Sequence, residues 1–466
     1  MIKHQYAILI IAIFWFSGLS AQTRNLPNIV FYITDDQSQL DCSVYGNDII
    51  KTPNTAQLAK DGLVFENAFI ASPACAPSRA ALLTGLMPSR NGAESNHSYP
   101  KKGTQILIKN LQESGYDVLS FGKIAHEKMG EYIGFDYYSE DPTNLANHVT
   151  EYFQNNTTKK PICLLVGDRR PHVPWTTEKT YNSEALDLPP YFIDTKETRR
   201  LWNQYYSDIT GADAEMGKIY QLAKEKFGDN FIFIYSADHG GQWPFGKWNL
   251  YDAGTKVPML MVWPKHIKPN TRTDAMVSWI DIFPTLLDIV DAELPVNIDG
   301  KSFKKSLQKP NTSHRKYIYT THSGDKKMNV YPIRSVRNKK YKFILNLYPE
   351  NYHSNHSDIL RKIHAGAYWD SWDETAKTDK RAADIVHKYY VRPAEEFYDI
   401  ENDPYEQVNL IDSPKGEKAL NKMRLLLKDW MIVQNDSKAL FEKPYPITGK
   451  TPHEIVVKNK NKQTKY

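Results

Sequence analysis

The segment Asn28–Asp36, NIVFYITDD, is the basis of the fold prediction for this chain. Its first six residues, Asn28–Ile33, form a short apolar run rich in β-branched and aromatic side chains, which predicts a buried strand. Two carboxylates, Asp35 and Asp36, follow almost directly. In an open sheet of parallel strands, ligands bind just beyond the carboxyl ends of the strands. The segment therefore predicts both an α/β sheet and the edge of that sheet at which a site would lie.

Further apolar runs of strand length recur along the chain, with helical patterns between them. The additional strand candidates are Val118–Phe121, Ile162–Val166, Phe231–Tyr235 and Met259–Val262. The segments with apolar residues at helical spacing are Thr55–Asp61, Ser78–Leu83, Gln105–Ser114, Thr198–Lys226 and Ile280–Val290. This alternation predicts an α/β fold with a large, mostly parallel central sheet covered by helices on both faces.

The pattern changes in the last third of the chain, where a smaller unit is expected. Tyr317–Thr321 and Tyr341–Leu347 predict strands of a separate small antiparallel sheet, and Lys415–Ile432 predicts a final amphipathic helix. We therefore expect a main domain over residues 22–325, which carries the site, and a C-terminal α+β subdomain over residues 326–466.

Composition and the first residues narrow the class of protein. A net charge of +5 over 466 residues is too small to indicate a nucleic-acid partner, although it is compatible with anionic small molecules or polymers. Residues 1–21 are typical of a signal peptide, with the apolar run Ala7–Phe16 ahead of a cleavage position before Gln22; an uncleaved anchor is the alternative. No later stretch approaches the roughly 18 apolar residues of a membrane helix. We expect an exported protein, periplasmic or secreted, without a membrane span.

The predicted strands and the segments around them supply acids, cations and imidazoles to one rim of the sheet. The carboxylates that suit a divalent cation such as Ca²⁺ or Mg²⁺ are Asp35, Asp36 and Asp238. The cations that suit a tetrahedral oxyanion are Arg79, Lys123 and Lys247. The imidazoles that can move protons near neutral pH are His126 and His172. A metal beside fixed cations suits hydrolysis of a phosphate or a sulfate ester, and the set alone does not distinguish the two.

Cys75 distinguishes these two chemistries. The chain has only three cysteines, Cys42, Cys75 and Cys163, so at most one disulfide forms and one thiol is left over. The segment Cys75–Gly85 reads CAPSRAALLTG, which matches the signature C-x-P-S-R-x-x-L-L-T-G at every defined position. On this motif the chain resembles the type I, formylglycine-dependent sulfatases of the alkaline-phosphatase-like superfamily. The resemblance implies that an export-linked enzyme oxidises Cys75 to formylglycine.

Further segments extend the resemblance over nearly the whole mature chain. Asp238–Gly240 followed by Lys247 resembles the family's second metal-binding segment, and Glu396–Asp399 resembles its C-terminal signature. The pairing of Asp238 with His239 is similar to the iduronate sulfatase branch, whereas Tyr331–Val336 is similar to the heparan N-sulfatase branch. The resemblance thus implies the family's reaction but does not single out one branch's substrate.

The resemblance also implies a role for each residue of the rim. One Ca²⁺ ion per chain, in preference to Mg²⁺, would be held by Asp35, Asp36, residue 75, Asp238 and His239. The residues expected to act on the reacting groups are Cys75, Arg79, Lys123, His126, His172 and Lys247. The side chains expected to contact the substrate are Lys123, Arg169, His172, Lys247 and His322. Arg79 would hold the hydrated formylglycine, His126 would take a proton from its second hydroxyl, and His172 or Lys247 would protonate the departing sugar oxygen.

We therefore predict a sulfatase that removes sulfate groups from carbohydrates such as ulvan or heparan-type oligosaccharides. Its expected partners are a sulfated glycan substrate and a formylglycine-generating or sulfatase-maturating enzyme. Two alternatives stay open at this point. One is a phosphate or phosphonate ester hydrolase of the same superfamily, and the other is a catalytically inactive relative that binds glycans.

Overall fold

Strands and helices alternate in the computed structural model, which describes residues 25–361 and 364–456. The strands are β1 Asn28–Thr34, β2 Leu63–Phe69, β3 Asp117–Gly122, β4 Tyr137–Ser139, β5 Ile162–Asp168, β6 Phe231–Ala237, β7 Met259–Val262, β8 Thr271–Ser278, β9 Ile318–His322, β10 Ile333–Arg337, β11 Tyr341–Asn346 and β12 Glu395–Asp399. The α-helices are α1 Pro53–Asp61, α2 Cys75–Thr84, α3 Pro88–Asn91, α4 Leu107–Glu113, α5 Met129–Ile133, α6 Leu145–Asn155, α7 Lys196–Phe227, α8 Asp252–Thr255, α9 Ile282–Ile289, α10 Lys304–Gln308, α11 His356–Ile359, α12 Trp369–Ala376, α13 Lys380–Tyr390 and α14 Glu417–Val433. Short 3₁₀ segments occupy Ser43–Tyr45, Ser183–Ala185, Trp279–Asp281 and His364–Gly366.

The first eight strands form one sheet in the order β4-β3-β5-β1-β6-β7-β2-β8. β7 runs antiparallel to both of its neighbours, and the other pairs are parallel. The prediction of a large, mostly parallel sheet is therefore confirmed.

Alternate residues of the central strand β1 face opposite sides of the sheet, and each side has its own hydrophobic core. Phe31 and Ile33 pack in a cluster that includes residues of α2, α4 and α9. Val30 and Tyr32 pack in a second cluster with residues of α1, α6 and α7. Helices thus cover both faces, as the continuous apolar run of β1 predicts.

The last four strands form a separate antiparallel sheet in the order β12-β11-β10-β9. The amphipathic helix α14 covers it, with Leu420, Met423 and Leu427 packed against Val336 and Phe343. The expected small sheet and terminal helix are confirmed. The domain boundary between residues 325 and 326 stays a prediction, and β9 lies on its N-terminal side.

Two further expectations concern the signal peptide and membrane-spanning helices. The predicted signal peptide, residues 1–21, lies outside the described residues. Among the helices of the described ranges, none is long and apolar enough to cross a membrane.

Candidate active site

The strands that carry the predicted rim residues are neighbours in the sheet, in the order β3-β5-β1-β6. Thr34 at the end of β1 pairs with Asp168 on β5 and with Ala237 on β6. Gly122 at the end of β3 pairs with Gly167. This register aligns four carboxyl ends, so the residues that follow them meet at one edge of the sheet.

Gly167 allows the chain after β3 to approach β5 closely. A Cβ atom at Gly167 would lie 2.0 Å from the carbonyl oxygen of Lys123, so only glycine fits there. The same Lys123 carbonyl accepts a hydrogen bond from the Arg79 guanidinium, and the Lys123 ammonium donates to Asp35. The close approach therefore sets both the backbone and the side chain of Lys123 at the rim.

Cys75 lies at the first turn of α2, where the four strand ends converge. Its Sγ atom is 3.5 Å from Asp35 Oδ1 and 3.2 Å from His239 Nε2. The ammonium groups of Lys123 and Lys247 lie 3.4 and 3.3 Å from the same sulfur. Residue 75 is thus placed between the predicted metal ligands and the predicted oxyanion-binding cations.

The predicted metal ligands form a buried cluster. One ligand atom from each of Asp35, Cys75, Asp238 and His239 lies within 4.8 Å of the others. Asp36 lies next to this set, with its Oδ1 3.4 Å from His239 Nδ1. The side chains of these three aspartates and of His239 have no exposed surface. Hard carboxylate oxygens in such a pocket fit a divalent cation, because a cation offsets the cost of burying several negative charges.

The neighbouring cations act differently on the two aspartates that follow β1. Burial opposes the charged form of Asp35, but Lys123, with Arg79 and Lys247, outweighs it and holds the pKa of Asp35 well below its usual value. Burial raises the pKa of Asp36 to about 8, although Lys247 at 2.8 Å opposes the shift. The protein's own cations thus leave part of the acidic charge uncompensated, which is consistent with a site for a metal ion.

Arg79 bridges the cluster from the side of α2. Its Nε donates to Asp238 Oδ2 at 2.9 Å, and the whole side chain is buried. Its Nη2 lies 3.9 Å from Asp35 Oδ1 and has no hydrogen-bond partner among the described residues. An unpartnered, buried guanidinium N–H is costly, so this donor is available for an oxygen that binds in the pocket.

The two histidines of the rim are both neutral near pH 7. Burial, together with Lys247 and Lys123, lowers the pKa of His172 well below its usual value. Burial, Lys123 and His97 lower the pKa of His126 to about 2. His172 has a ligand atom within 4.8 Å of those of Asp36 and Cys75, whereas His126 Nε2 lies 3.0 Å from His97 Nδ1.

The other two predicted substrate contacts lie in different surroundings. Arg169 is exposed and donates weakly, at 3.4 Å, to the carbonyl oxygen of Val173. His322 is fully buried at the end of β9, and its Nε2 lies 3.0 Å from Asn329 Oδ1. Burial lowers the pKa of His322 to about 4. Substrate contact by either side chain stays a prediction.

A polar group that the sequence patterns do not predict lies at the edge of this site and consists of Asn96, His97, Glu127 and Asp325. Asn96 accepts from the backbone N–H of Ala76, next to residue 75, and donates to Asp325 Oδ2 at 2.9 Å. All four residues come from loops. Asn96 and His97 do not follow a predicted strand, and Glu127 and Asp325 lie four or more residues beyond one, so strand ends do not indicate them. The adjacent pair Asn96-His97 was the available signal, and it carries no motif.

Fold and site together define a class of protein: an enzyme with an α/β fold whose buried acidic pocket lies beside fixed cations, an arrangement that suits hydrolysis of an anionic ester. The family is shown by sequence comparison. Residues 27–292 match the family model described as Sulfatase, and residues 239–358 match the model described as N-sulphoglucosamine sulphohydrolase, C-terminal. The chain belongs to the sulfatase family, and it is a hydrolase of sulfuric esters.

Curated relatives and solved structures agree with this assignment. The chain is 31% identical over 434 residues to an ulvan-active sulfatase of Formosa agariphila, which covers 90% of this chain and 82% of that protein. It is 26% identical to human N-sulphoglucosamine sulphohydrolase, over 89% of this chain and 91% of that protein. The fold matches the structure of a 2-O GAG sulfatase with a TM-score of 0.68 at 20% identity, over 93% of this chain and 100% of that one.

Proposed function

We propose that this sulfatase works through a formylglycine made from Cys75 and one Ca²⁺ ion. The observation that carries the proposal is the position of Cys75 Sγ, which lies within 3.5 Å of a carboxylate, an imidazole and two ammonium groups. Burial, reinforced by Asp35, raises the pKa of the Cys75 thiol. A protonated thiol is a poor nucleophile, so this environment favours a chemically converted residue 75 over the cysteine itself.

The donor set supports Ca²⁺ in the acidic pocket. Asp35, Asp36, Asp238 and His239 would hold the ion next to residue 75. Once formed, formylglycine would supply the attacking hydroxyl of its hydrate, and a bound Ca²⁺ would lower the pKa of that hydroxyl and offset charge on the sulfate group. The unpartnered Nη2 of Arg79 would hold an oxygen of residue 75 in this arrangement.

The remaining rim residues would bind the sulfate group and move protons. Lys123 and Lys247 stay charged, since burial opposes their charged forms but the aspartates beside them raise the pKa of both. They would bind sulfate oxygens through charge-assisted hydrogen bonds. His172 is neutral in the empty protein, and the negative charge of an entering sulfate would raise its pKa. We assign to it the proton donated to the departing sugar oxygen. His126, which is neutral, would accept the proton from the second hydroxyl of residue 75.

We further propose that the substrates are sulfated oligosaccharides of the ulvan or heparan type. Two relatives of the chain, an ulvan-active sulfatase and N-sulphoglucosamine sulphohydrolase, support this range of substrates. The signal-peptide pattern of residues 1–21 supports export to the periplasm or beyond. A formylglycine-generating or sulfatase-maturating enzyme would then have to act on Cys75 before or during export.

Mass spectrometry of the active enzyme tests the proposal directly. The peptide that contains Cys75 should be about 18 Da lighter than its unmodified form, as the conversion of a thiol to an aldehyde requires. Cys75→Ala should fold normally and release no sulfate. Fully active protein that contains only unmodified thiol would contradict the proposal.

A substrate panel tests the second part. Defined oligosaccharides of each type, carrying single sulfate groups, would be assayed beside phosphate monoesters of the same sugars. We expect sulfate release from at least one glycan type and little phosphate release. Faster turnover of the phosphate esters would favour the phosphohydrolase alternative instead.

A further inference from the structure

His97, His126 and Glu127 converge beside the catalytic pocket, and of these three only His126 has a role in the proposed function. His97 lies on the loop between α3 and α4, and His126 and Glu127 lie on the turn after β3. His97 Nδ1 is 3.0 Å from His126 Nε2 and 2.7 Å from Glu127 Oε1. His126 Nε2 and Glu127 Oε1 are 3.6 Å apart. The three potential ligand atoms therefore form a closed triangle.

Carboxylates lie beside both ring nitrogens of His97. Nε2 is 3.5 Å from Oδ1 of the buried Asp325, and Nδ1 is 2.7 Å from Oε1 of Glu127. A single proton can be shared along only one edge of the triangle, whereas a cation at its centre would contact all three atoms.

The size of the triangle is close to that of a tetrahedral site. Zn²⁺ binds nitrogen and oxygen ligands at about 2.0–2.2 Å, which places neighbouring ligand atoms of a tetrahedron roughly 3.3–3.6 Å apart. The three edges here are 2.7, 3.0 and 3.6 Å, so the two shorter edges would open by about 0.3–0.6 Å when an ion binds. Ca²⁺ takes six to eight oxygen ligands, so two imidazole nitrogens and one carboxylate do not suit it. Two imidazoles and a carboxylate are a common protein ligand set for zinc.

We propose that His97 Nδ1, His126 Nε2 and Glu127 Oε1 form a binding site for a divalent transition-metal ion of the zinc class, with solvent as the fourth ligand. Outer contacts hold the ligands in place. Asp325 lies behind His97, and the Tyr99 hydroxyl donates to Glu127 Oε2 at 3.1 Å. Such contacts are the usual support of metal-binding histidines and carboxylates.

The backbone is consistent with this assignment. His97 and Glu127 both have left-handed conformations, with φ of 63° and 48°. Non-glycine residues pay for this conformation, and it is concentrated at functional sites. Here it brings two ligands from different loops to the same point.

The site has a consequence for catalysis, and this part rests on the proposed function. An ion at the triangle would coordinate His126, the residue to which the proposed function assigns the proton from residue 75. Zinc should therefore inhibit sulfate release reversibly, while Ca²⁺ in the acidic pocket should support it.

Calorimetric titration of Zn²⁺ into the Cys75→Ala protein tests the site without using activity. This variant lacks the thiol in the catalytic pocket, and saturating Ca²⁺ would occupy the acidic cluster during the titration. We expect one zinc ion per chain at this site. Adding His97→Gln or Glu127→Gln should weaken its binding by at least about tenfold. Glu131→Gln, which changes an exposed glutamate four residues further on, is the matched control and should bind as the parent does.

Two results would overturn the site. If the parent binds no zinc, or if the His97→Gln and Glu127→Gln variants bind it as the parent does, a shared proton joins His97 to Glu127 instead of a metal.

The inhibitory role of zinc is measured separately, on the active enzyme. Micromolar Zn²⁺ should inhibit the matured wild-type enzyme, and Glu127→Gln should require a higher concentration. Because the calorimetry uses an inactive variant, failure of the proposed function would not be mistaken for failure of the metal site.

Discussion

Replacing Lys247 with alanine removes one of the two ammonium groups beside residue 75. Lys247 Nζ lies 3.3 Å from Cys75 Sγ and 2.8 Å from Asp36 Oδ1, and the side chain is 2% exposed. At an effective dielectric constant of about 20, Coulomb's law gives about 5 kcal/mol for unit charges at this separation. If about half a unit of charge moves onto the neighbouring oxygens during bond cleavage, Lys247 contributes about 2.5 kcal/mol, or roughly 70-fold in rate.

This magnitude can be measured as a change in kcat. Initial rates of sulfate release would be followed at saturating substrate and Ca²⁺, and corrected for the fraction of Cys75 that has been converted. Removal of a single preorganised electrostatic group typically costs ~10²–10³ in kcat, so the expected loss lies just below that range. Lys247→Arg keeps the positive charge and should retain clearly more activity than Lys247→Ala.

A negligible loss would refute the reasoning. If folded, fully converted Lys247→Ala protein turned over within about threefold of wild type, the ammonium group would contribute less than about 0.7 kcal/mol to the transition state. The placement of sulfate between Lys247 and the acidic pocket would then be wrong. Circular dichroism in the presence of Ca²⁺ separates this outcome from unfolding, because loss of Lys247 also leaves Asp36 without its nearest cation.

Three further predictions concern stability. Chelation of Ca²⁺ should abolish sulfate release and lower the free energy of unfolding, by about 2.7 kcal/mol relative to protein at a hundred times the Kd, as measured by urea titration. Asp436→Asn weakens the buried contact between Arg334 and Asp436 and should cost about 3–5 kcal/mol in the same titration, whereas the exposed Asp412→Asn should cost little. The Arg315 guanidinium outweighs burial and lowers the pKa of Asp281 to about 2, below the unfolded value of about 3.9, so its contribution of roughly 2.5 kcal/mol is present above pH 4 and lost as pH falls toward 2. Asp281→Asn should flatten the acid limb of the stability profile by that amount; an unchanged profile would exclude this ion pair as its source.

In the large sheet, strands with unbroken apolar runs could be predicted from the sequence, and two strands with a charged residue in their interior could not. The prediction Met259–Val262 coincides with β7, and the predicted core of β1 differs from the observed strand by one residue. β2 and β8 were missed because Glu66 and Asp274 interrupt their apolar patterns. Their pairing with each other, with an irregular register after Phe65, is a long-range contact that local periodicity does not contain.

The helix that carries Cys75 begins three residues earlier than the sequence predicted. The apolar spacing predicted a start near Ser78, whereas α2 begins at Cys75 itself. Pro77 lies in the first turn, where a missing backbone N–H costs nothing, so the turn before Ser78 is helical despite its weak apolar pattern. Residue 75 therefore sits at the N-terminus of the helix and close to its unpaired N–H groups.

The sequence by itself determined the chemistry available to this protein. The segment Cys75–Gly85 is local and specific, and the acids after β1 and β6 lie next to apolar runs that predict buried strands. The tertiary structure alone decided which groups meet. The register of β3, β5, β1 and β6 brings Asp36 and Lys247, 211 residues apart, to 2.8 Å, and loop packing brings His97 to His126. Such distances depend on how strands align and how loops pack, and a pattern read along one chain does not contain that information.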